Sequence, residues 1–177
     1  PTALLTPRGH AIECRIYAED PDNNFMPSPG RITGLRAASG PGIRDDRGVE
    51  AGHDVPIFYD PMISKLIAWA EDRPSAVERM RRALAEYVVS GIRTSLPFFT
   101  WLLDQPAFLT GAFHTAYLDE VLASRNGAPF VETGPGVEDI AVIAAAVRAV
   151  LSPNAPAEQA STGGRWRAQA RADGLRD

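Results

Sequence analysis

The stretch His10-Ala11-Ile12-Glu13-Cys14-Arg15-Ile16-Tyr17 alternates with a period of two. Ile12, Cys14 and Ile16 fall on one side, and Glu13, Arg15 and Tyr17 on the other, which is the pattern of a half-buried β-strand. A second stretch, Met62-Ile63-Ser64-Lys65-Leu66-Ile67-Ala68-Trp69, is the most apolar strand candidate, and its Ile63, Ile67 and Trp69 favour extended backbone. Between the two, Pro27-Ser28-Pro29-Gly30 and Ser39-Gly40-Pro41-Gly42 are turn signals. They separate shorter strand candidates at residues 31–37, 43–44, 48–51 and 54–58.

Beyond Trp69 the period changes. Residues 74–89 place Val77, Met80, Leu84 and Val88 at helical spacing, with Pro74 suited to the first turn and Gly91 to a C-terminal stop. Ser95 is a candidate cap for a second helix that carries Pro97, Phe98, Trp101 and Leu102. Residues 105–112 read as a connector, residues 115–123 as a third helix, and the Ala-rich residues 137–151 as a fourth. Strands followed by helices predict an α+β fold: an antiparallel sheet of short strands packed with α-helices, plus a C-terminal helix.

Composition narrows the function. The 177 residues are 45% hydrophobic and 23% charged, as in a globular protein. The net charge of −4 argues against a dedicated nucleic-acid binder. With one cysteine, Cys14, the chain forms no internal disulfide and no cysteine-rich zinc cluster. His10, His53 and His114 share no metal-ligand spacing, so no metal site is expected. No targeting segment is recognisable and no apolar run approaches the roughly 18 residues of a membrane span, so the cytoplasm is the expected location. Residue 1 is proline, and residues 1–7 read as a linker from upstream domains; a piece of a longer polypeptide is expected. After residue 124 linkers become frequent, and residues 152–177 hold too few large apolar side chains to order themselves, so they are expected to be a flexible tail or the start of a following domain.

Several blocks then resemble one family. Arg8-Gly9-His10-Ala11-Ile12-Glu13-Cys14-Arg15-Ile16-Tyr17-Ala18-Glu19-Asp20-Pro21 is similar to the start of the C-terminal domain of biotin carboxylase. The resemblance continues through Phe25-Met26-Pro27-Ser28-Pro29-Gly30-Arg31-Ile32, Gly42-Ile43-Arg44 and Val49-Glu50-Ala51-Gly52. It returns in Tyr59-Asp60-Pro61-Met62-Ile63-Ser64-Lys65-Leu66-Ile67, in residues 79–84 and in Gly91-Ile92-Arg93-Thr94-Ser95. It implies a domain over residues 8–123, followed by a linker and helix at 124–151. It also implies ATP-dependent carboxylation of biotin with bicarbonate, the first half-reaction of an acetyl-, propionyl- or methylcrotonyl-CoA carboxylase, with biotin and Mg-ATP as cofactors of the full-length enzyme. The implied partners are an upstream ATP-grasp domain of the same polypeptide, a biotin carboxyl carrier domain, a second copy in a homodimer and a carboxyltransferase subunit. The chain carries no glycine-rich phosphate loop, no ATP-grasp metal segment and no Met-Lys-Met attachment sequence, so alone it is expected to be inactive. The alternatives are a non-catalytic α+β assembly module, or the same domain of a pyruvate or urea carboxylase.

The resemblance also assigns residues. Arg44 matches the arginine that contacts the ureido oxygen of biotin, which becomes an enolate when N1′ loses its proton; a guanidinium is always charged and stabilises such an oxygen. Asp45 and Asp46, which follow at once, are candidate partners that would blunt it. Asp60 is a substrate-side candidate, either capping its turn or orienting an arginine from elsewhere. Thr115 begins the helix that in the family returns toward the adenine edge of the ATP pocket. Trp69 and Arg73 lie in the segment similar to the family's dimer contact, although a core tryptophan reads almost as well. Glu13 and Arg15 read as partners in a cross-strand ion pair and Asp20 as a turn cap, Lys65 as a paired or snorkelling lysine on a sheet face, and Cys14 as an inert core thiol. Arg165-Trp166-Arg167 is similar to a stretch that in acyl-CoA carboxylase α-subunits opens a domain contacting the partner subunit.

Overall fold

A computed structural model describes residues 7–58, 60–131, 134 and 136–151. The chain divides into two units, one ending at Glu132 and one beginning at Thr133.

The first unit is organised by a three-stranded antiparallel sheet. Its strands are β1 (His10–Tyr17), β6 (Ile43–Arg47) and β8 (Met62–Ala70), in the order β1-β8-β6. The alternation in β1 has the expected consequence: Ile12, Cys14 and Ile16 are buried, while Glu13 and Arg15 are exposed. β8 is central, and Ile63, Ser64, Leu66, Ala68 and Ala70 are buried along it.

Helix α1 (Arg73–Glu86) covers the buried side of the sheet. Asp72 caps it by accepting the Ser75 N–H at 2.8 Å, and Pro74 stands in the first turn. Its Ala76, Val77, Met80, Ala83 and Leu84 are buried against the sheet. Each fully buried large side chain here contributes about 1.5–3 kcal/mol. The α+β arrangement agrees with the sequence reading.

The short strands pair as ladders outside this sheet. β2 (Glu19–Asp20) pairs with β3 (Met26–Pro27), and β4 (Gly30–Arg31) with β7 (Asp54–Val55). The candidate at residues 48–51 is not a strand, and that at 54–58 shrinks to two residues. The helix expected over 74–89 stops at Glu86. Tyr87 turns extended, and β9 (Val88–Ser90) pairs with β5 (Gly34–Arg36) instead, because β-branched Val88 and Val89 suit a ladder better than a last helical turn. Gly91 therefore ends a strand rather than a helix.

Helices α2 (Leu96–Leu102), α3 (Pro106–Thr110) and α4 (Tyr117–Ser124) complete the first unit. The expected connector thus contains α3. Ser95 makes no capping bond to α2. Its hydroxyl accepts the Tyr17 N–H at 3.0 Å and reaches the Arg15 carbonyl at 3.4 Å, tying the start of α2 to β1.

In the second unit, α5 (Val137–Leu151) forms where the fourth helix was expected. Arg165, Trp166 and Arg167 and the expected tail 152–177 lie outside the described residues.

Candidate functional site

The face of the central sheet opposite α1 gathers the charged residues. Antiparallel register sets Glu13, Ile67 and Arg44 in one cross-strand row, and Arg15, Lys65 and Asp46 in the next. Trp69 extends the same face opposite Ala11 and is 45% exposed. The ion pair expected across strands runs along one: Arg15 Nε donates to Glu13 Oε1 at 2.7 Å. That bond, with further help from the Lys65 and Arg44 charges, holds Glu13 below the usual carboxylate range.

Arg44 is the second residue of the edge strand β6. The turn before it is tight: Gly42 has a φ of +71°, and its carbonyl accepts the Trp69 N–H at 2.8 Å. A side chain on Gly42 would run into Arg79 and the Trp69 backbone, so this close approach needs glycine. The Arg44 side chain is 71% exposed. Its Nε donates to Asp46 at 3.1 Å, and its two Nη groups make no hydrogen bond among the described residues. Of the two acids expected to compete for Arg44, only Asp46 does so.

Asp45 turns to the other face and is used there. It accepts hydroxyl bonds from Ser64 and Tyr87, and its second oxygen lies 3.5 Å from Arg47 Nη1. Past Arg47 the chain leaves the sheet, and Arg47, Gly48, Val49, Glu50 and His53 line a recess of about 480 Å³.

Asp60 accepts the Met62 N–H at 3.1 Å, so it closes the turn into β8. It also stands near Glu19, which burial first and the Asp60 charge second push above the usual carboxylate range. Asp20 does cap a turn, accepting the Asp22 N–H at 3.2 Å.

Thr115 does not begin a helix. It sits in the exposed turn ahead of α4, whose first helical residue is Tyr117. Trp69 donates from Nε1 to the Arg8 carbonyl at 3.3 Å. Arg73 is turned onto its own chain. It donates to the carbonyls of Phe108 and Leu109, lies 2.9 Å from His10 Nε2, and stacks over the Phe108 ring. Cys14 is buried, and burial pushes its thiol up to about 12.

Sequence reasoning missed the Asp45–Ser64–Tyr87 group and the arginine anchors of α1. Arg81 joins Arg73 in the second role, donating to the Leu103 carbonyl at 2.8 Å and to Asp104 at 2.6 Å. The partners lie 19 to 42 residues apart in chain order, so no local spacing signals them. No helix among the described residues is long and apolar enough to cross a membrane.

The family model described as "Biotin carboxylase C-terminal domain" matches residues 13–120. A biotin carboxylase of Nostoc sp. is 46% identical over 114 residues, 64% of this chain and 26% of the relative. A biotin carboxylase of Allochromatium vinosum is 49% identical over 115 residues, 65% of this chain and 25% of the relative. Among solved structures, the biotin carboxylase domain dimer of Hydrogenobacter thermophilus 2-oxoglutarate carboxylase superimposes with a TM-score of 0.65 at 38% identity, over 72% of this chain and 27% of that one. That structure is a complex with MgADP, ADP and bicarbonate. The chain spans about a quarter of the length of these relatives.

Proposed function

Since this chain belongs to the biotin carboxylase C-terminal domain family, we propose that it supplies the biotin-facing wall of an enzyme that carboxylates biotin with ATP and bicarbonate. The reading is carried by Arg44: a largely exposed guanidinium at a sheet edge, with Nε pinned by Asp46 and both Nη groups open among the described residues. Those donors fit the ureido oxygen of biotin. Biotin supplies a nitrogen that accepts the carboxyl group. Arg44 supplies a fixed, permanent positive charge where negative charge gathers on the ureido oxygen. Asp46 sets the plane of the guanidinium, leaving its outer edge for the substrate. Asp60 shapes the turn on the substrate side.

Toward Mg-ATP this chain offers Thr115, whose exposed turn suits a packing contact at the adenine edge. An ATP-grasp domain upstream in the same polypeptide is assigned the phosphates and magnesium. Residues 8–123 are taken as the domain proper and 124–151 as a linker and helix. The resemblance supports a homodimer face near Trp69 and Arg73. The further partners are a biotin carboxyl carrier domain and a carboxyltransferase subunit. The helix after residue 124 and the Arg165-Trp166-Arg167 stretch favour an acyl-CoA carboxylase α-subunit over a pyruvate or urea carboxylase. The cytoplasm is the proposed location.

The test uses the full-length enzyme with free biotin. Arg44→Ala should lower carboxylation by roughly a hundredfold or more, the scale of losing one oxyanion donor, with nucleotide binding unchanged. Lysine should rescue only in part, because it lacks the planar fork. Normal turnover in Arg44→Ala, or a defect confined to ATP binding, would remove Arg44 from this role. The isolated chain should show no biotin-stimulated ATP cleavage.

A further inference from the structure

Arg44 belongs to an edge strand, and β6 is hydrogen-bonded to a sheet neighbour on one side only among the described residues. A strand held by one short ladder needs something else to fix its position. The neighbouring residue, Asp45, provides it. Its side chain is 10% exposed on the α1 face. One carboxylate oxygen accepts the hydroxyl of Ser64 from the central strand β8 and the hydroxyl of Tyr87, 3.2 Å away, from the residue that ends α1. The other lies 3.5 Å from Arg47. Ser64 and Tyr87 are themselves buried, at 1% and 4% exposure, so neither hydroxyl is easily satisfied by water.

These bonds tie three elements together at one carboxylate. Successive residues of a strand point to opposite faces with fixed geometry. Whatever fixes Asp45 therefore also fixes where Arg44 emerges on the open face. The Asp46 bond orients the Arg44 guanidinium, but Asp46 rides on the same strand and cannot anchor it. We infer that Asp45, held by Ser64 and Tyr87, is the positioning residue for Arg44. This rests on the catalytic reading of Arg44 above. Asp45 touches no substrate and acts through the strand.

The experiment compares Asp45→Ala, Asp45→Asn, Tyr87→Phe, Arg44→Ala and the double variant Arg44→Ala/Asp45→Ala in the full-length carboxylase. Turnover with free biotin, KM for biotin, KM for ATP and the thermal midpoint are measured. Asp45→Ala should lose roughly tenfold to a hundredfold in turnover, the penalty for a misplaced catalytic group, with KM for ATP unchanged. Asparagine keeps an oxygen for both hydroxyls and should recover turnover to within about threefold of the parent; Tyr87→Phe should fall between. On the Arg44→Ala background, Asp45→Ala should cost no further turnover, because the two act as one unit. A merely structural role would lower the midpoint without that non-additivity.

Parental turnover in folded Asp45→Ala, or a full additional loss in the double variant, overturns the inference. Should Asp45→Ala fail to fold, parental turnover in Tyr87→Phe overturns it equally. Impaired Arg44→Ala beside a normal Asp45→Ala defeats only the positioning role. Normal Arg44→Ala defeats the catalytic reading and the positioning role with it.

Discussion

The Nε of Arg73 donates to the carbonyl oxygen of Phe108 across 3.2 Å, and the guanidinium carbon lies 4.9 Å from the centre of that residue's ring. One side chain thus binds two carbonyls at the end of α3, of which that of Phe108 also accepts the Gly111 N–H, and lies over its aromatic ring. A helix of five residues has few bonds of its own, and α3 is held to the start of α1 from outside. An arginine expected at a dimer face is therefore engaged in the fold of its own chain.

Arg73→Ala should destabilise the domain by about 1–3 kcal/mol, the scale of charge-assisted hydrogen bonds lost from partly buried carbonyls. Lysine should restore less than half, since it neither forks nor stacks. Chemical denaturation at several protein concentrations is the check. A loss that is the same at every concentration locates the effect within the chain, and a loss that vanishes on dilution assigns it to a dimer face.

Ser95 separates two accounts of one residue. As a helix cap it should tolerate asparagine, which caps as well as serine. As the buried bridge between Tyr17 and Arg15 it should not, because the longer side chain has no room at 3% exposure. Ser95→Ala is expected to cost about 1–3 kcal/mol for the unsatisfied Tyr17 N–H, and Ser95→Asn at least as much. A fully stable Ser95→Asn in thermal unfolding would restore the capping account.

Cys14 makes the fold sensitive to alkali. Its thiol ordinarily ionises near 9.0, and burial raises this to about 12 in the folded chain. Below 9.0 both states keep the proton and burial carries no ionisation cost. Between 9.0 and about 12 only the unfolded chain releases the proton, so stability falls as pH rises, by at most about 1.4 kcal/mol per pH unit. Tyr87 adds to the loss above its ordinary value of 10.0, since burial also pushes it up to about 12. Urea denaturation at pH 8, 9 and 10 should show a steeper decline for the parent than for Cys14→Ala. Equal slopes would contradict this account. In the folded chain the same thiol should resist alkylation at neutral pH.

The parts of the fold legible in the sequence were those with a long local period. Eight alternating residues reveal β1, and the spacing of Val77, Met80 and Leu84 reveals α1. Blocks such as Gly42-Ile43-Arg44 carried the family resemblance and drew attention to Arg44. Ladders of two residues, such as β4 with β7, have no period to read and exist because distant segments meet. Val88 looked helical because it continued the stripe of α1, yet pairing with β5 won. Asp45 looked like a competitor for Arg44 because it is adjacent in sequence. A strand sends adjacent side chains to opposite faces, and its true partners, Ser64 and Tyr87, come from elements folded against it.

Gly42 is where the turn geometry and the proposed chemistry meet. Its φ of +71° is a left-handed conformation that costs an ordinary residue roughly 1–2 kcal/mol. A methyl group there would also strike Arg79, whose Nη1 donates to the Trp69 carbonyl, and that carbonyl itself is backbone that cannot step aside. Relief requires the turn to lift away from β8, and Arg44 begins two residues later. Gly42→Ala should therefore lower stability and, in the full-length enzyme, lower biotin carboxylation more than it lowers nucleotide binding. Gly48→Ala is the control, since a side chain at Gly48 meets nothing within 4 Å and the residue lies just past the same strand. Thermal unfolding paired with steady-state kinetics on both variants checks the argument. If Gly42→Ala matches Gly48→Ala in midpoint and turnover, the turn does not hold Arg44 in place.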